Sequence, residues 1–317
     1  MGTIVTQAYK AIENIVGSRY ISDDPAIMQG YKSGPGGYEA GLGYERVMTV
    51  LPAAVALPKD ADELQRIVKI CARYNVPYVP YATGFYGPKT HCHVDDELII
   101  DMKRMQYFNW DEKHMFADIG PGIIYSSLQQ EAFNKGCYGV IGGGGAQCSA
   151  IANLLGDGWS PISLKIGLPH RRILGTELVL PDGELVKMGS LATSDDPFWG
   201  EGPGPDLRGI LRGFTGLRGC MGTVTRMAVK YLPLIQDCPK PQGVAPNTSL
   251  ALDERRIRWI NFQVPTKANQ VQAMYEIGAA EICAACTKVP VFWRAIAKAE
   301  DKEEFWDCLL YTSPSPR

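Results

Sequence analysis

The stretch that decides the fold is Val-Pro-Tyr-Val-Pro-Tyr-Ala-Thr-Gly-Phe-Tyr-Gly, at residues 76–87. A helix is predicted before it, over residues 61–74, and residues 76–80 are typical of a short apolar strand. Small residues at 82–84 and a glycine at Gly87 let backbone N–H groups approach an anion closely. Residues 88–97 are polar and show no helix pattern. The stretch therefore predicts a phosphate-binding loop without the helix that a GxGxxG dinucleotide fold or a P-loop requires.

The composition is that of an ordinary globular protein. The chain has 317 residues, of which 45% are hydrophobic and 21% are charged, and its formal net charge is −2. This length is enough for two domains. The charge balance gives no reason to expect a nucleic-acid or anionic membrane partner. No apolar run approaches the roughly 20 residues that a transmembrane segment needs, so none is expected.

The cysteines and histidines do not predict a metal site. Nine cysteines are scattered along the chain, which favours reduced thiols in a cytoplasmic protein. Cys283 and Cys286 form the only CxxC motif, and they fall inside a predicted helix. His91 and His93 would share one face of an extended segment, but no third ligand accompanies them. We expect no metal at either place.

The pattern along the chain alternates helices and strands. In the helix predicted at residues 61–74, apolar residues recur at spacings of three and four, and acidic residues lie in the first turn. Two alternating apolar runs, at residues 173–180 and 184–188, flank Pro181-Asp182-Gly183 and predict a hairpin. The other predicted helices are at residues 7–16, 125–135, 207–213, 267–287 and 291–308. The other predicted strands are at residues 47–57, 98–102, 115–119, 223–232 and 258–264.

The fold class expected is α+β, with two domains. Residues 235–249 are rich in proline and asparagine and predict the domain boundary. The first domain would span residues 1–240, with subdomains at about 1–105 and 106–240. A smaller, incomplete domain would follow at residues 250–308.

Glycine-bearing loops recur at the ends of the predicted strands. One such loop is weak support for a ligand site, because it could be only a turn. Several in this order favour a backbone cradle around one large, flat, anionic ligand, with turns alone as the alternative. These loops lie at residues 82–87, 120–122, 142–145, 156–158 and 219–222.

Taken together, these segments resemble the FAD-binding domain of the vanillyl-alcohol oxidase / p-cresol methylhydroxylase superfamily, which includes the D subunit of glycolate oxidase and D-lactate dehydrogenases. The resemblance covers about residues 15–235. It departs from the family at the loop of residues 80–87, which is usually richer in glycine. The segments that carry it are residues 55–64, 80–84, 118–122, 156–161, 173–184, 198–217 and 219–225.

The resemblance implies FAD as the cofactor and assigns parts of it to loops. The pyrophosphate would meet the first loop, the flavin ring and ribityl chain the middle loops, and the adenosine the last. Since residues 80–87 contain neither His nor Cys, non-covalent FAD is expected, although His91 and His93 leave a covalent bond open. The implied cofactor-binding residues are Pro80, Tyr81, Ala82, Thr83, Gly84, Gly87, Gly122, Gly143, Gly144, Gly156, Gly158, Ser160, Gly219, Gly222, Thr223 and Val224.

The resemblance implies a FAD-dependent oxidoreductase that moves a hydride from an alcohol or 2-hydroxy acid carbon to flavin N5. A FAD-binding electron-transfer subunit and an inactive truncated fragment are the alternatives. The sequence does not identify the substrate, and a homo-oligomer is possible. The electron acceptor is also open: it could be oxygen, a quinone or a protein. The catalytic base is unknown: His114 and His170 are the remaining histidines, and a substrate-binding cap domain would normally supply the base.

The C-terminal part is shorter than the cap domain of the family. The last nine residues, 309–317, show no periodicity and resemble translated sequencing-adaptor read-through. We expect a truncated chain with a non-native tail, and a genuine flexible terminus is the alternative.

Overall fold

The structure is a computed structural model, and its residues divide into two compact units. The first unit comprises Met1–Ser160 and Gly167–Ile260, and the second comprises Pro161–Ile166 and Asn261–Arg317. The residues that the structure describes are 4–32, 51–84, 94, 96–139, 145–156, 160, 162–194, 208–211, 219, 221–234, 240–244, 247–251, 258, 260, 264–288 and 299–312.

Helices and strands both contribute to the fold, as the expected α+β class requires. The strands are β1 (Ile21–Ser22), β2 (Ala54–Ala56), β3 (Tyr78–Tyr81), β4 (Leu98–Asp101), β5 (Phe108–Asp111), β6 (Phe116–Ile119), β7 (Cys137–Tyr138), β8 (Ile173–Val179), β9 (Leu185–Gly189), β10 (Thr223–Lys230), β11 (Leu232–Pro233), β12 (Pro241–Val244) and β13 (Asn247–Leu250). The helices are α1 (Thr6–Val16), α2 (Pro25–Lys32), α3 (Ala61–Tyr74), α4 (Tyr125–Asn134), α5 (Ala150–Leu155), α6 (Ser163–Ile166), α7 (Leu191–Ser194), α8 (Arg208–Leu211), α9 (Lys267–Ala280) and α10 (Lys302–Thr312).

The first sheet is mostly parallel and is buried on both faces. Its described strands follow the order β1-β2-β4-β3, in which β2, β4 and β3 are parallel. Leu98 and Ile100 pack with α1 and α3, whereas Val55, Val79 and Ile99 pack with Met28 of α2 on the other face. Burial on both faces explains why β4 reads as a continuous apolar run.

Helix α3 begins and ends at residues that satisfy its free backbone groups. The Asp60 side chain accepts the N–H of Glu63, and the Glu63 carboxylate in turn accepts the N–H of Lys59. Asn75 closes the helix in the left-handed conformation. Leu64 and Ile67 lie on the buried face. The helix predicted at residues 61–74 is confirmed.

The second sheet is antiparallel, and one of its faces forms an apolar core with the helices that cover it. Its described strands follow the order β5-β6-β10-β8-β9, and β8 and β9 form the hairpin predicted around Asp182-Gly183. Ala117, Ile119 and Leu178 lie in a core that α4 and α5 cover. Asp118 alternates with Ala117 and Ile119 along β6 and so points to the opposite face.

Several boundaries differ from those predicted. Helix α9 ends at Ala280 rather than at 287, because Glu281 takes a left-handed φ of 51° and its N–H bonds the carbonyl of Gly278, only three residues back. Cys283 and Cys286 therefore follow the helix instead of lying inside it. The described residues of the strand predicted at 258–264 are in no strand. Within the predicted boundary, β12 and β13 pair as antiparallel strands.

The second unit contains α6, α9 and α10. Thr266 begins α9, with its hydroxyl accepting the N–H of Asn269. No residue of α9 is buried, and Tyr275 is 74% exposed. Within the described ranges, no helix combines the length and the apolarity needed to cross a membrane.

Candidate FAD site at the carboxyl ends of the parallel strands

The carboxyl ends of β3 and β4 lie side by side. Tyr81 is the last residue of β3 and is paired in register with Asp101, the last residue of β4. Residues 82–84 leave the sheet at this edge. In open α/β sheets, ligands bind outside the carboxyl ends of the parallel strands. The loop singled out in the sequence therefore lies where this architecture places ligands.

Asp101 is fully buried, and every described partner of its carboxylate is a donor. Oδ2 accepts the hydroxyl of Tyr31 at 2.7 Å and lies 2.9 Å from Lys103 Nζ. Oδ1 accepts the backbone N–H of Lys103 at 3.0 Å. A buried carboxylate needs such donors, because an unpaired one would be very costly. No motif in the sequence marks this aspartate; its only signal is an acidic residue at the end of an apolar strand.

The side chain of Tyr81 covers the loop that follows it. Its ring meets the ring of Tyr31 edge to face, with the centroids 5.2 Å apart. Its hydroxyl lies over Gly84, where a Cβ would collide with it, and Gly84 has a φ of 63°. Burial, and secondarily the charge of Asp101, raises the pKa of Tyr81. A side chain at position 84 would thus meet the ring of Tyr81 and would have to adopt a positive φ.

Thr83 connects this loop to the start of α5. Its Oγ1 accepts the backbone N–H of Ser149 at 3.2 Å. The Ser149 hydroxyl donates to the carbonyl of Pro121 at 3.1 Å and caps the helix by accepting the N–H of Ala152. Thr83 and Pro121, from two loops predicted separately, are therefore joined through one serine at the start of α5.

Gly219 brings the last glycine loop against β3. A Cβ at Gly219 would lie 2.5 Å from Cγ of Pro80, and the φ of Gly219 is 75°. Gly222 follows, and its N–H donates to the carbonyl of Gly219 at 3.2 Å. The structure thus places Pro80 and Gly219, two residues predicted separately, in contact.

Three of the predicted glycines use their backbone N–H within the chain. The N–H of Gly122 donates to the carbonyl of Met105, and that of Gly156 donates to the carbonyl of Ala152. The N–H of Gly222 donates to the carbonyl of Gly219. These glycines shape the backbone rather than offer a free donor. In contrast, the N–H groups of Thr83 and Gly84 have no acceptor in the described part of the chain.

The remaining predicted residues fall into two groups. Thr223 and Val224 begin β10 and are buried, and Ser160 is also buried. Val224 packs in the core of the second sheet. The other four lie outside the described residues, and they are Gly87, Gly143, Gly144 and Gly158.

Two buried polar atoms fit a site for a polar cofactor. Thr223 Oγ1 and Asn153 Oδ1 have no hydrogen-bond partner among the described residues. Thr223 follows Gly222 in the predicted adenosine loop, and Asn153 lies on α5 between Ser149 and Gly156. Buried polar atoms are normally paired, so each of these is suited to a bound polar group.

An ion pair lies on the face of the second sheet opposite its core. Asp118 is buried, and Arg226 Nε approaches its two carboxylate oxygens at 3.0 and 2.8 Å. Tyr107 donates to Asp118 at 3.4 Å, and its ring lies 5.6 Å from the Arg226 guanidinium. The hydrogen bond to Asp118 raises the pKa of Arg226. No sequence pattern indicates this pair, because its members are 108 residues apart.

The described histidines do not identify a catalytic base. His114 Nδ1 lies 2.9 Å from Asp111 Oδ2, and this hydrogen bond lowers the pKa of Asp111. His170 lies in a 3-10 turn at Pro169–Arg172 and also has an interaction partner. His91 and His93 lie outside the described residues. Where the structure describes the chain, no three metal-binding side chains come together.

Comparison with known proteins identifies the domain. Residues 52–189 match the family described as "FAD binding domain". The chain is 29% identical over 185 residues to glycolate oxidase subunit GlcD of Bacillus subtilis. The alignment covers 58% of this chain and 37% of that protein. It is 26% identical over 235 residues to the mitochondrial D-lactate dehydrogenase [cytochrome] of Arabidopsis thaliana, covering 67% of this chain and 39% of that protein. The chain thus spans less than half of these relatives.

Solved structures show the same fold. p-Cresol methylhydroxylase with substrate bound superposes with a TM-score of 0.59 at 19% identity, over 73% of this chain and 44% of that one. Alkyldihydroxyacetonephosphate synthase gives 0.60 at 19% identity, over 73% and 41%. The predicted resemblance to FAD-binding domains and the predicted α+β fold are confirmed, and FAD is the cofactor. Residues 52–189 thus match an FAD-binding domain, and the fold is the one seen in p-cresol methylhydroxylase.

Proposed function

We propose that this chain is the FAD-binding part of an oxidoreductase that removes a hydride from the carbon of a 2-hydroxy acid or another alcohol. The observation that carries the proposal is the meeting of separate loops at one sheet edge. Thr83 bonds Ser149, and Pro80 contacts Gly219. A cofactor as long as FAD needs several loops held in fixed positions, and these contacts fix them.

The residues of the site divide the cofactor among them in this proposal. The backbone of residues 80–84, with the unengaged N–H groups of Thr83 and Gly84, would bind the diphosphate. Asn153, Gly156 and Ser160 would face the ribityl chain and ring, and residues 222–224 the adenosine. Gly87, Gly122, Gly143, Gly144, Gly158 and Gly219 complete the proposed set. FAD supplies the acceptor of two electrons, while the chain supplies binding and orientation.

The flavin is non-covalent in this proposal. Neither His nor Cys occurs in residues 80–84, the described part of the loop. Acid precipitation of the purified protein tests this directly. Yellow colour left in the supernatant agrees with the proposal, and colour that stays in the pellet would show a covalent bond.

The substrate class is argued from the relatives. Their names include glycolate oxidase, D-lactate dehydrogenase and D-2-hydroxyglutarate dehydrogenase, which all point to 2-hydroxy acids. Because the chain spans only part of those proteins, we propose the class and not a single acid. Oxygen, a quinone or a protein would accept the electrons. A protein is favoured because the name of the Arabidopsis relative includes a cytochrome.

The first experiment is to purify the protein, load it with FAD and record its visible spectrum. We expect the absorption bands of bound oxidised flavin. A protein that stays colourless and cannot be reconstituted would refute the proposal. Anaerobic addition of glycolate, D-lactate and D-2-hydroxyglutarate, with 4-methylphenol as the contrasting substrate, should bleach the flavin with the acids.

A second candidate function is that of an electron-transfer subunit. The word "subunit" in the name of the Bacillus relative favours it. In that case the loaded protein would be reduced by dithionite but not by any hydroxy acid. The same titration therefore separates the two candidates, and an inactive fragment would behave like the subunit until a partner restored turnover.

The extent and location of the domain are also part of the proposal. We propose that the FAD-binding domain covers residues 1–240, with a substrate-binding part beginning near residue 250. Cytoplasmic localisation is supported by the free thiols of the described cysteines, Cys71, Cys137, Cys148, Cys283 and Cys286. Limited proteolysis with and without FAD tests the first point, and cell fractionation tests the second.

A further inference from the structure

A lysine stands at the edge of the sheet from which the proposed diphosphate loop departs. Lys103 lies in a 3-10 turn directly after β4, and its carbonyl oxygen would be 2.8 Å from a Cβ at Gly122. Its ammonium group lies 5.3 Å from the centroid of the Tyr31 ring and 5.5 Å from that of Tyr81. The Tyr81 hydroxyl in turn lies over Gly84. The lysine is therefore next to the proposed diphosphate loop.

The ammonium group is oriented but not enclosed. Asp101 Oδ2 accepts one of its protons at 2.9 Å, while the lysine side chain remains 51% exposed. A lysine ammonium carries three N–H donors, so two remain for other acceptors. The aromatic faces of Tyr31 and Tyr81 also attract the cation. Its position is thus fixed from one side, and its remaining donors are left for a ligand.

We propose that Lys103 is the cation that neutralises the diphosphate of FAD, and that Asp101 is the positioning residue that holds it there. The inference rests on the proposed function, because it requires the diphosphate to bind at residues 80–84. Backbone N–H groups alone carry only partial charges, whereas the diphosphate carries full negative charges. Lysine binds phosphate as a point charge, and its interaction is screened by salt.

The experiment compares FAD with riboflavin, which has the isoalloxazine and ribityl groups but no phosphate. Apoprotein is titrated with each flavin at low and high ionic strength, and binding is followed by flavin fluorescence. Lys103→Gln is the test variant, and Lys103→Arg keeps the charge. Lys69→Gln is the matched control, because Lys69 is equally exposed at 52% and is also paired with a carboxylate, that of Glu184.

The expected result is a loss specific to the phosphate-bearing flavin. Lys103→Gln should weaken FAD binding by roughly tenfold or more, the size of one charged hydrogen bond. It should also flatten the salt dependence and leave riboflavin affinity unchanged. Lys103→Arg should keep most of the FAD affinity, and Lys69→Gln should behave as the wild type.

Other outcomes would overturn the inference. An unchanged FAD affinity of Lys103→Gln would contradict it. An equal loss of affinity for FAD and riboflavin would also contradict it, because it would mean that Lys103 has a general structural role. If Lys103→Gln does not fold, the double variant Asp101→Asn/Lys103→Gln removes both charges of the pair and leaves no unpaired buried carboxylate. It should show the same selective loss. A wild-type protein that binds no FAD would instead refute the proposed function.

Discussion

The backbone N–H of Ser149 donates a hydrogen bond of 3.2 Å to the hydroxyl of Thr83, across 66 residues of sequence. Ser149 is buried, so this N–H has no access to water as an alternative acceptor. The bond therefore couples the conformation of the loop after β3 to the start of α5. A side chain and a main chain, rather than two glycines, hold these two parts of the site together.

Replacing Thr83 should loosen this connection. Thr83→Val keeps the shape but removes the acceptor and leaves the N–H of Ser149 buried and unpaired, which costs about 1–3 kcal/mol of the free energy of unfolding. Urea unfolding of the apoprotein measures the loss. Thr83→Ser keeps the hydroxyl and serves as the control. Equal stability of the Val and Ser variants would contradict the assigned hydrogen bond.

Replacing Gly219 should disturb its contact with Pro80. Gly219→Ala puts a methyl group 2.5 Å from Pro80 Cγ in a backbone with positive φ, so we expect a loss of about 1–3 kcal/mol. The matched control is Gly30→Ala, because Gly30 lies in α2 with no atom within 4 Å of its missing Cβ. That change should stabilise the protein by about 0.5–1 kcal/mol. Differential scanning calorimetry would show melting temperatures that move in opposite directions.

Breaking the Asp118–Arg226 pair should be costly. Asp118→Asn leaves the guanidinium without its carboxylate, and removing one partner of a buried pair typically costs about 3–5 kcal/mol, with the lower end expected here because Arg226 is 27% exposed. Chemical denaturation measures the change. The double variant Asp118→Asn/Arg226→Gln should lose less than the sum of the two single variants. Strict additivity would show that the two side chains do not interact.

The buried thiol of Cys71 should make stability fall at alkaline pH. Burial raises the pKa of Cys71 to about 12, whereas an unfolded cysteine titrates at about 8.5. The unfolded chain therefore loses the proton first, so this contribution is complete below about pH 8.5 and declines as the pH rises toward 12. The slope should be at most about 1.4 kcal/mol per pH unit.

The test for Cys71 is a comparison of slopes between two proteins. Urea unfolding of the wild type and of Cys71→Ala is measured at a series of alkaline pH values, so that the buried tyrosines contribute equally to both. The free energy of unfolding of the wild type should fall more steeply. Parallel curves would mean that Cys71 is protonated to the same extent in both states.

Local patterns predicted the regular elements well where the pattern and the tertiary structure agree. The helix at 61–74 has the spacing, the acidic first turn and the cap that its burial requires, and the hairpin around Asp182-Gly183 has its turn residues. Helix α9 shows the opposite case. The residues after Ala280 remain good helix formers, so no stop signal marks the left-handed Glu281.

The parts of the site that sequence reasoning missed are long-range contacts. The glycines of the loops were visible as loops, but nothing near Thr83 in the sequence refers to Ser149. Likewise Asp101 and Tyr31 are 70 residues apart. Their hydrogen bond forms because α2, which carries Tyr31, packs on the first sheet, in which β4 ends at Asp101. Spacing along the chain cannot report such pairs, because it describes neighbours within one element.

Val179 has a consequence for how the protein can be divided. It belongs to β8 of the antiparallel sheet, yet its side chain is fully buried in the core that also contains Leu64 and Ile100 of the parallel half. Cutting the chain between the two sheets would leave a hole in one fragment and an exposed apolar residue on the other. The two halves should therefore melt in one cooperative transition, and neither is a module that can be transplanted alone.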